Sequence, residues 1–360
     1  MSWETAALDL LAAGAPTPLI EFPVGAPGVT LLLKDESAQP TGSLRHRHAR
    51  ALFRQAVLDG LITEGTTVVE ATGGNAAVAQ AWFAKRLGLP YIVVMPGVRG
   101  EERARPVEEL GGECRFVTPP LAIYDAARQI EGHFLDQFGR AAEHDLAAEL
   151  FAQVRPDWVV VGAGTGATSA TLGRWSRDHA TPTVDSSGDH ATTMVDSSGD
   201  HATVPGGSSG GDHDGPVPRV VVADPENSAY FPGWTLDALD YATGMPSRIE
   251  GIGRPRIEPG FRPDLVDLVI PVPDAAGVAA ARLIREVTGL PVGGSSGTAL
   301  WAALEVVERM RAKGESGMIV SVLGDAHPRH LTTYHDDKWT AGKGLDVQEY
   351  DAELRRRTGS

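Results

Sequence analysis

DWVVVGAGTGATSATLGRW, residues 157–175, runs from a short apolar segment into a glycine-rich turn and then into residues at helical spacing. A short apolar run closed by glycine suits a buried strand, and the residues beyond the turn suit a helix, so the segment predicts strand, turn, helix. At such a junction the backbone N–H groups of Gly164, Thr165, Gly166 and Ala167, with the hydroxyl of Thr168, can converge on an anion at the positive end of the helix. No Lys-Ser/Thr pair comes after it, which excludes a Walker loop. The next glycine after Gly166 is Gly173, which excludes GxGxxG spacing. The competing reading of the turn is close packing between a strand and a helix.

The same alternation extends in both directions. VTLLLKD (29–35), TTVVEAT (66–72), PYIVVMP (90–96) and ECRFV (113–117) read as strands, separated by the helical segments 43–60, 76–88 and 100–112. Downstream, PRVVVADPENS (218–228), LVDLVIPVPD (265–274) and GMIVSVLGD (317–325) alternate with helical segments 275–289 and 295–314. Repeated βαβ rhythm predicts parallel sheets flanked by helices, and so many units predict more than one sheet. The expected architecture is α/β with two packed domains.

With 360 residues, 42% hydrophobic and 22% charged, the chain is enzyme-sized and globular in composition. Its formal charge of −15 argues against nucleic acid and anionic membranes, whose binding relies on basic side chains. The single cysteine, Cys114, excludes an intrachain disulfide and a multi-cysteine zinc site, which suits a reducing cytoplasm. The N-terminus shows neither a basic n-region nor a membrane-length apolar run, so no signal peptide or anchor is expected. VDSSGDHAT occurs at 184–192 and again at 195–203; the segment 178–216 has almost nothing to bury and is expected to be a disordered insertion. Its His190, His201 and His213 suggest adventitious metal contact at most, and no metal site is expected. The polar tail 343–360 reads as a short helix or a frayed end.

Two further loops carry polar groups at helix starts. EATGGNAAV (70–78) sets Thr72 and Asn75 among small residues, an arrangement suited to a carboxylate or to plain helix capping. QPTGSLRHRHAR (39–50) presents Arg45, His46, Arg47 and His48 at the beginning of another helix.

Taken in order, KDESAQPTGSLRHRHA, VVEATGGNAAV, GAGTGATSATLGRW, VADPENSAYFPGW, SRIEGIGRPR, GGSSGTALWAAL and VLGDAHPR resemble the fold-type II pyridoxal-phosphate enzymes. The chain is most similar to the cysteine synthase and cystathionine β-synthase group, and within it to the bacterial L-cysteine desulfhydrases, over roughly residues 31–339. The resemblance implies a tryptophan synthase β-like scaffold. Residues 1–42 and 151–340 would form the larger, cofactor-phosphate domain and 43–150 the smaller one. It implies pyridoxal phosphate as cofactor, β-elimination or β-replacement at a cysteine-like amino acid, and a homodimer or a heterodimer with an active relative. It places Gly164 to Thr168 at the cofactor phosphate and Asn75 at the ring hydroxyl. Thr72, Gly73, Ala76 and Gln137 fall at the substrate carboxylate, and Gly251 at the mouth of the site.

Two positions depart from the pattern. The family motif Gly-Ser-x-Lys-x-Arg supplies the Schiff-base lysine, whereas this chain has Gly42-Ser43-Leu44-Arg45-His46-Arg47. A guanidinium stays protonated with delocalised lone pairs, so Arg45 can neither form the Schiff base nor return as the base. The position that supplies a hydroxyl to the pyridine nitrogen is matched to Ala326, which has none. The chain has only five lysines, Lys34, Lys85, Lys313, Lys338 and Lys343, so few could substitute. Histidines are the other candidate bases: His48 shares a helix face with Arg45, and His327 and His330 lie just beyond Ala326. These residues leave three expectations open: impaired family chemistry, a pseudoenzyme binding a small anion or a partner, or a cofactor-independent reaction on a small amino acid or phosphate ester.

Overall fold

A computed structural model describes residues 2–140, 142–179, 217–245 and 247–359. The VDSSGDHAT repeat and His190, His201 and His213 lie outside the described residues.

The chain begins with α1 (Trp3–Leu10), β1 (Leu19–Phe22) and β2 (Val29–Asp35). It continues through α2 (Arg45–Leu58), β3 (Val68–Ala71), α3 (Gly74–Leu87), β4 (Tyr91–Pro96), α4 (Glu101–Glu108) and β5 (Glu113–Val117). Next come α5 (Ile123–Arg128), β6 (His133–Phe134), α6 (Leu146–Gln153), β7 (Trp158–Gly162), α7 (Ala167–Asp178), β8 (Arg219–Pro225) and α8 (Tyr230–Leu236). The last elements are β9 (Leu268–Val272), α9 (Asp274–Thr288), α10 (Gly294–Lys313), β10 (Gly317–Leu323), α11 (Asp337–Gly342) and α12 (Gln348–Thr358). The tail thus carries a helix.

Two sheets form, in the orders β1-β2-β10-β7-β8-β9 and β5-β4-β3-β6. Every pairing is parallel except β1 with β2, which caps the larger sheet with one antiparallel edge strand. The parallel strands are apolar on both faces because helices cover both. Against the larger sheet, one face packs Leu300, Trp301 and Leu304 of α10 with Ile284 of α9. The other face packs Leu146 and Leu150 of α6 with Leu172 of α7. The smaller sheet packs Phe53 of α2 and Phe83 of α3 on one side and α5 on the other. Helix α1 joins the α2–α3 core through Ala7 and Leu11, so the chain's first residues sit with the smaller sheet although β1 and β2 belong to the larger. Their apolar residues find α2 and α3 before the chain crosses over.

A buried ionic cluster ties the two units together. Lys34, at 0% exposure on β2, is paired with Glu149 and donates to the Gln153 side chain at 2.6 Å and to the Thr17 carbonyl at 2.8 Å. Arg47 on α2 donates to both Glu36 oxygens at 2.6 and 2.9 Å, to Glu149 at 2.7 Å and to Asp145 at 3.0 Å. Arg50 adds a bond to Asp145 at 2.5 Å.

Candidate functional site

A cleft of about 510 Å³ lies between the sheets, at the carboxyl ends of their strands. In an open parallel sheet this is where successive loops diverge and leave a crevice. Several edges of the cleft continue strands. The loop after β3 brings Thr72, Gly73, Asn75 and Ala76, and Gln137 comes after β6. The turn after β7 brings Gly164, Thr165, Gly166 and Thr168, and Asp325 comes after β10.

The glycine turn is built to present N–H groups. Gly166 has φ of 85°, a conformation glycine adopts without strain, and a Cβ there would lie 2.3 Å from the Phe261 nitrogen. The Tyr230 hydroxyl donates to the Gly164 carbonyl at 2.6 Å and so satisfies that oxygen. The N–H groups of Gly164, Thr165, Gly166 and Thr168 have no acceptor among the described residues. Ala167 differs from the expectation: its N–H is taken by the Thr165 hydroxyl at 3.3 Å, its side chain is buried, and Ser169 lines the cleft instead. The Thr168 hydroxyl is bonded to His144 Nε2 at 3.0 Å. Burial, with Arg47 next, pushes His144 down to about 3, so this imidazole is neutral.

Arg45 opens α2 and reaches across the cleft, where its Nη2 donates to the Gly251 carbonyl. A Cβ on Gly164 would lie 2.4 Å from that nitrogen, so the guanidinium rests directly against the glycine turn. Burial, and then the charge of Arg254, lower the Arg45 pKa from its usual value. His48 does not line the cleft. Three residues along the helix is about 4.5 Å deeper, and the ring is buried with Nε2 unpartnered among the described residues. Burial, with Arg45 and His144 after it, holds it well below the ordinary imidazole range.

Ala326 also lies off the cleft. It bridges to Val292 and packs against the larger core, while Asp325, one residue earlier, faces inward. Adjacent residues of an extended segment point to opposite sides, so the one-residue difference decides which side chain reaches the site. Asp325 Oδ2 accepts from Asn75 Nδ2 at 2.6 Å and is bonded to His330 Nε2 at 3.0 Å. Burial opposes its ionisation, but His330, Asn75 and Arg329 outweigh that and hold the carboxyl below its usual range. Asn75 is occupied at both ends, its Oδ1 accepting from Arg329 at 3.1 Å. Of the histidines, His330 therefore faces the cleft.

Beneath the Thr72 loop, buried Glu70 accepts from Ala71 N at 2.8 Å and from Gln137 N at 3.1 Å, fixing Gln137 to the end of β3. Burial pushes its carboxyl up to about 8 from an ordinary 4.5. An acid whose folded pKa is raised keeps its proton in the folded state only, so folding loses stability as pH rises from about 4.5 to about 8. Glu70→Gln removes that titration. Its stability relative to wild type should rise between pH 5 and pH 8 by on the order of 3 kcal/mol, measured by urea unfolding at both pH values.

A family model described as pyridoxal-phosphate dependent enzyme matches residues 10–324. The chain belongs to that family. It is 40% identical to an L-cysteine desulfhydrase of Mycobacterium tuberculosis, covering 96% of this chain and 91% of that protein. It is 27% identical to a cysteine synthase of Aquifex aeolicus, covering 85% and 83%. The crystal structure of an O-ureido-L-serine synthase shares the fold, with a TM-score of 0.69 at 22% identity over 93% of this chain and 98% of that one. Among the described residues no helix is long and apolar enough to cross a membrane.

For a pyridoxal-phosphate family member, the site fits the cofactor's phosphate but not its covalent attachment. The free N–H groups after β7 suit a phosphate. Beside that turn stands Arg45, which has no nucleophilic amine, and none of the five lysines lines the cleft. Lys34 is locked in the buried ionic cluster, and Lys85, Lys313, Lys338 and Lys343 are exposed. The residues therefore do not fit a covalently attached cofactor. Sequence reasoning missed Asp325, Arg103 and Arg254 as cleft residues. Arg103 sits in a segment full of charges, GEERARPVEELGG, and nothing in its spacing sets it apart.

Proposed function

We propose that this chain is a cysteine synthase and L-cysteine desulfhydrase relative that has kept the family's phosphate-binding cleft and lost its covalent catalysis. The observation that carries this reading is the placement of the cations: Arg45, at the position the resemblance gives to the Schiff-base lysine, lines the cleft, and none of the five lysines does. Pyridoxal phosphate supplies an electron sink for elimination at an amino acid when it is covalently joined to that amino acid. Here the chain's own residues offer binding only. The glycine turn and Thr168 orient a phosphate, the Thr72 to Ala76 loop and Gln137 orient a carboxylate, and no amine moves a proton between them. Such a protein acts as a pseudoenzyme, holding a small anion and regulating an active relative as a homodimer or heterodimer.

The test is sulfide release from L-cysteine with added pyridoxal phosphate. The purified chain is expected to match the rate of free cofactor, and a rate far above that background would overturn the reading. One observation favours a second reading. The Asp325–His330 pair is a polar couple on the cleft wall, the arrangement by which a carboxylate orients an imidazole for proton transfer. A cofactor-independent reaction on a small amino acid or phosphate ester would use it, and would disappear in His330→Gln.

A further inference from the structure

Asn75 stands on α3, beside the smaller sheet, yet both ends of its side chain are held from the larger one. Its Nδ2 donates to Asp325 Oδ2 at 2.6 Å, and its Oδ1 accepts from Arg329 Nη2 at 3.1 Å.

The bond to Asp325 is the strong one. It is short and charge-assisted, and its acceptor is only 6% exposed, where water competes little. The same oxygen is bonded to His330 Nε2 at 3.0 Å, and a Cβ on Gly293, the N-cap of α10, would lie 2.6 Å from Asp325 Oδ1. A carboxylate at a helix N-terminus is stabilised by the helix dipole, so Asp325 is fixed from the side of the larger sheet. Arg329 closes the other side. Its Nη2 also lies 3.4 Å from Glu250 Oε1, and a Cβ on Gly74 would lie 2.5 Å from that same oxygen. The Glu250 backbone N–H in turn donates to the Tyr334 hydroxyl at 3.0 Å. The first turn of α3 is therefore gripped at Gly74 and Asn75 by two acids and one guanidinium from across the cleft.

We propose that Asp325 and Arg329 form an autoinhibitory clasp on Asn75. With the clasp shut the cleft takes a phosphate alone, and a phosphate-bearing ring whose hydroxyl needs the Asn75 amide enters only when the clasp opens. This rests on the reading that the cleft holds a phosphate ligand without a covalent bond. A ligand that competes for Asn75 binds only the open fraction of molecules, so its apparent Kd is the intrinsic value divided by that fraction.

Titration calorimetry with inorganic phosphate and with pyridoxine 5′-phosphate, which adds a ring hydroxyl, tests the clasp. The readout is the ratio of the two affinities, in which a general change of charge largely cancels. Arg329→Met and Asp325→Ala are each expected to raise that ratio in favour of pyridoxine 5′-phosphate by about tenfold or more, as for a clasp open in about a tenth of the molecules or fewer. The two substitutions remove opposite charges, so a residual electrostatic effect would move the ratio in opposite directions, whereas release of the clasp moves it the same way. Arg329 is partly exposed, and an unchanged thermal midpoint in Arg329→Met certifies its fold; this variant decides alone if Asp325→Ala unfolds. A ratio that stays at the wild-type value in Arg329→Met, or that moves oppositely in the two variants, overturns the proposal. Pyridoxine 5′-phosphate has no aldehyde, so a covalent adduct of pyridoxal phosphate with the wild-type chain would overturn the noncovalent reading and leave the clasp to be decided by these affinities.

Discussion

Arg45→Lys is expected to take up pyridoxal phosphate covalently and to raise sulfide release from L-cysteine by at least about 100-fold over wild type. The parts that such a lysine would serve are already in place. The N–H groups of Gly164, Thr165, Gly166 and Thr168 have no acceptor among the described residues, Gln137 is tethered to the end of β3, and α2 begins at the cleft wall. The substitution removes a delocalised cation and supplies an amine that can lose its proton, so it changes the chemistry and leaves the scaffold. One contact is lost, from Arg45 to the Gly251 carbonyl. Absorbance of the bound cofactor and the initial rate, read together against free cofactor, check this prediction. An Arg45→Lys protein that stays colourless and inactive would show that the cleft has diverged well beyond one residue.

Arg47→Met should cost about 3–5 kcal/mol, the range for removing one partner from a buried ionic group, and lower the thermal midpoint by roughly 4–7 °C. Arg47 is 1% exposed and serves three carboxylates at once, so its loss leaves Glu36 buried with its charge unmatched. The same cluster sets an acid limit. Burial opposes ionisation of Asp145 and Glu149, but Arg50 and Arg47 around the first, and Lys34, Thr17 and Arg47 around the second, hold both below their usual values of 3.8 and 4.5. An acid depressed in the folded state contributes fully above its unfolded pKa, and that contribution disappears as pH falls through the folded one. Wild type should therefore lose stability below about pH 4, and Arg47→Met should lose less there because part of the pairing is already gone. Thermal unfolding from pH 3 to 7 measures both.

The contrast between Arg45 and Arg47 shows what the sequence makes legible. Both lie in SLRHRHAR, and the strand–turn–helix rhythm around them correctly predicts α2, β7, α7 and most of the parallel strands. That rhythm is a local property, written in apolar spacing and glycine stops such as Gly88 after α3, whose φ is 69°. The short β1 and β6 carry too few residues for such a pattern, and their pairing partners supply what their own sequence lacks. Gly164 and Thr72 line the cleft on turns that this rhythm places after strands, whereas Gln137, after the short β6, comes only from the resemblance. Direction within a segment was not legible. Whether Asp325 or Ala326 faces the cleft depends on the pairing of Ala326 with Val292, and whether His48 or His330 does depends on which turns of structure pack beneath it.

The most direct test of the account is the intact mass of the purified wild-type chain after incubation with pyridoxal phosphate and reduction with borohydride. The account predicts an unmodified mass in the wild type and a single phosphopyridoxyl addition at residue 45 in Arg45→Lys. A stoichiometric addition on Lys34 or Lys85 of the wild-type chain would contradict it.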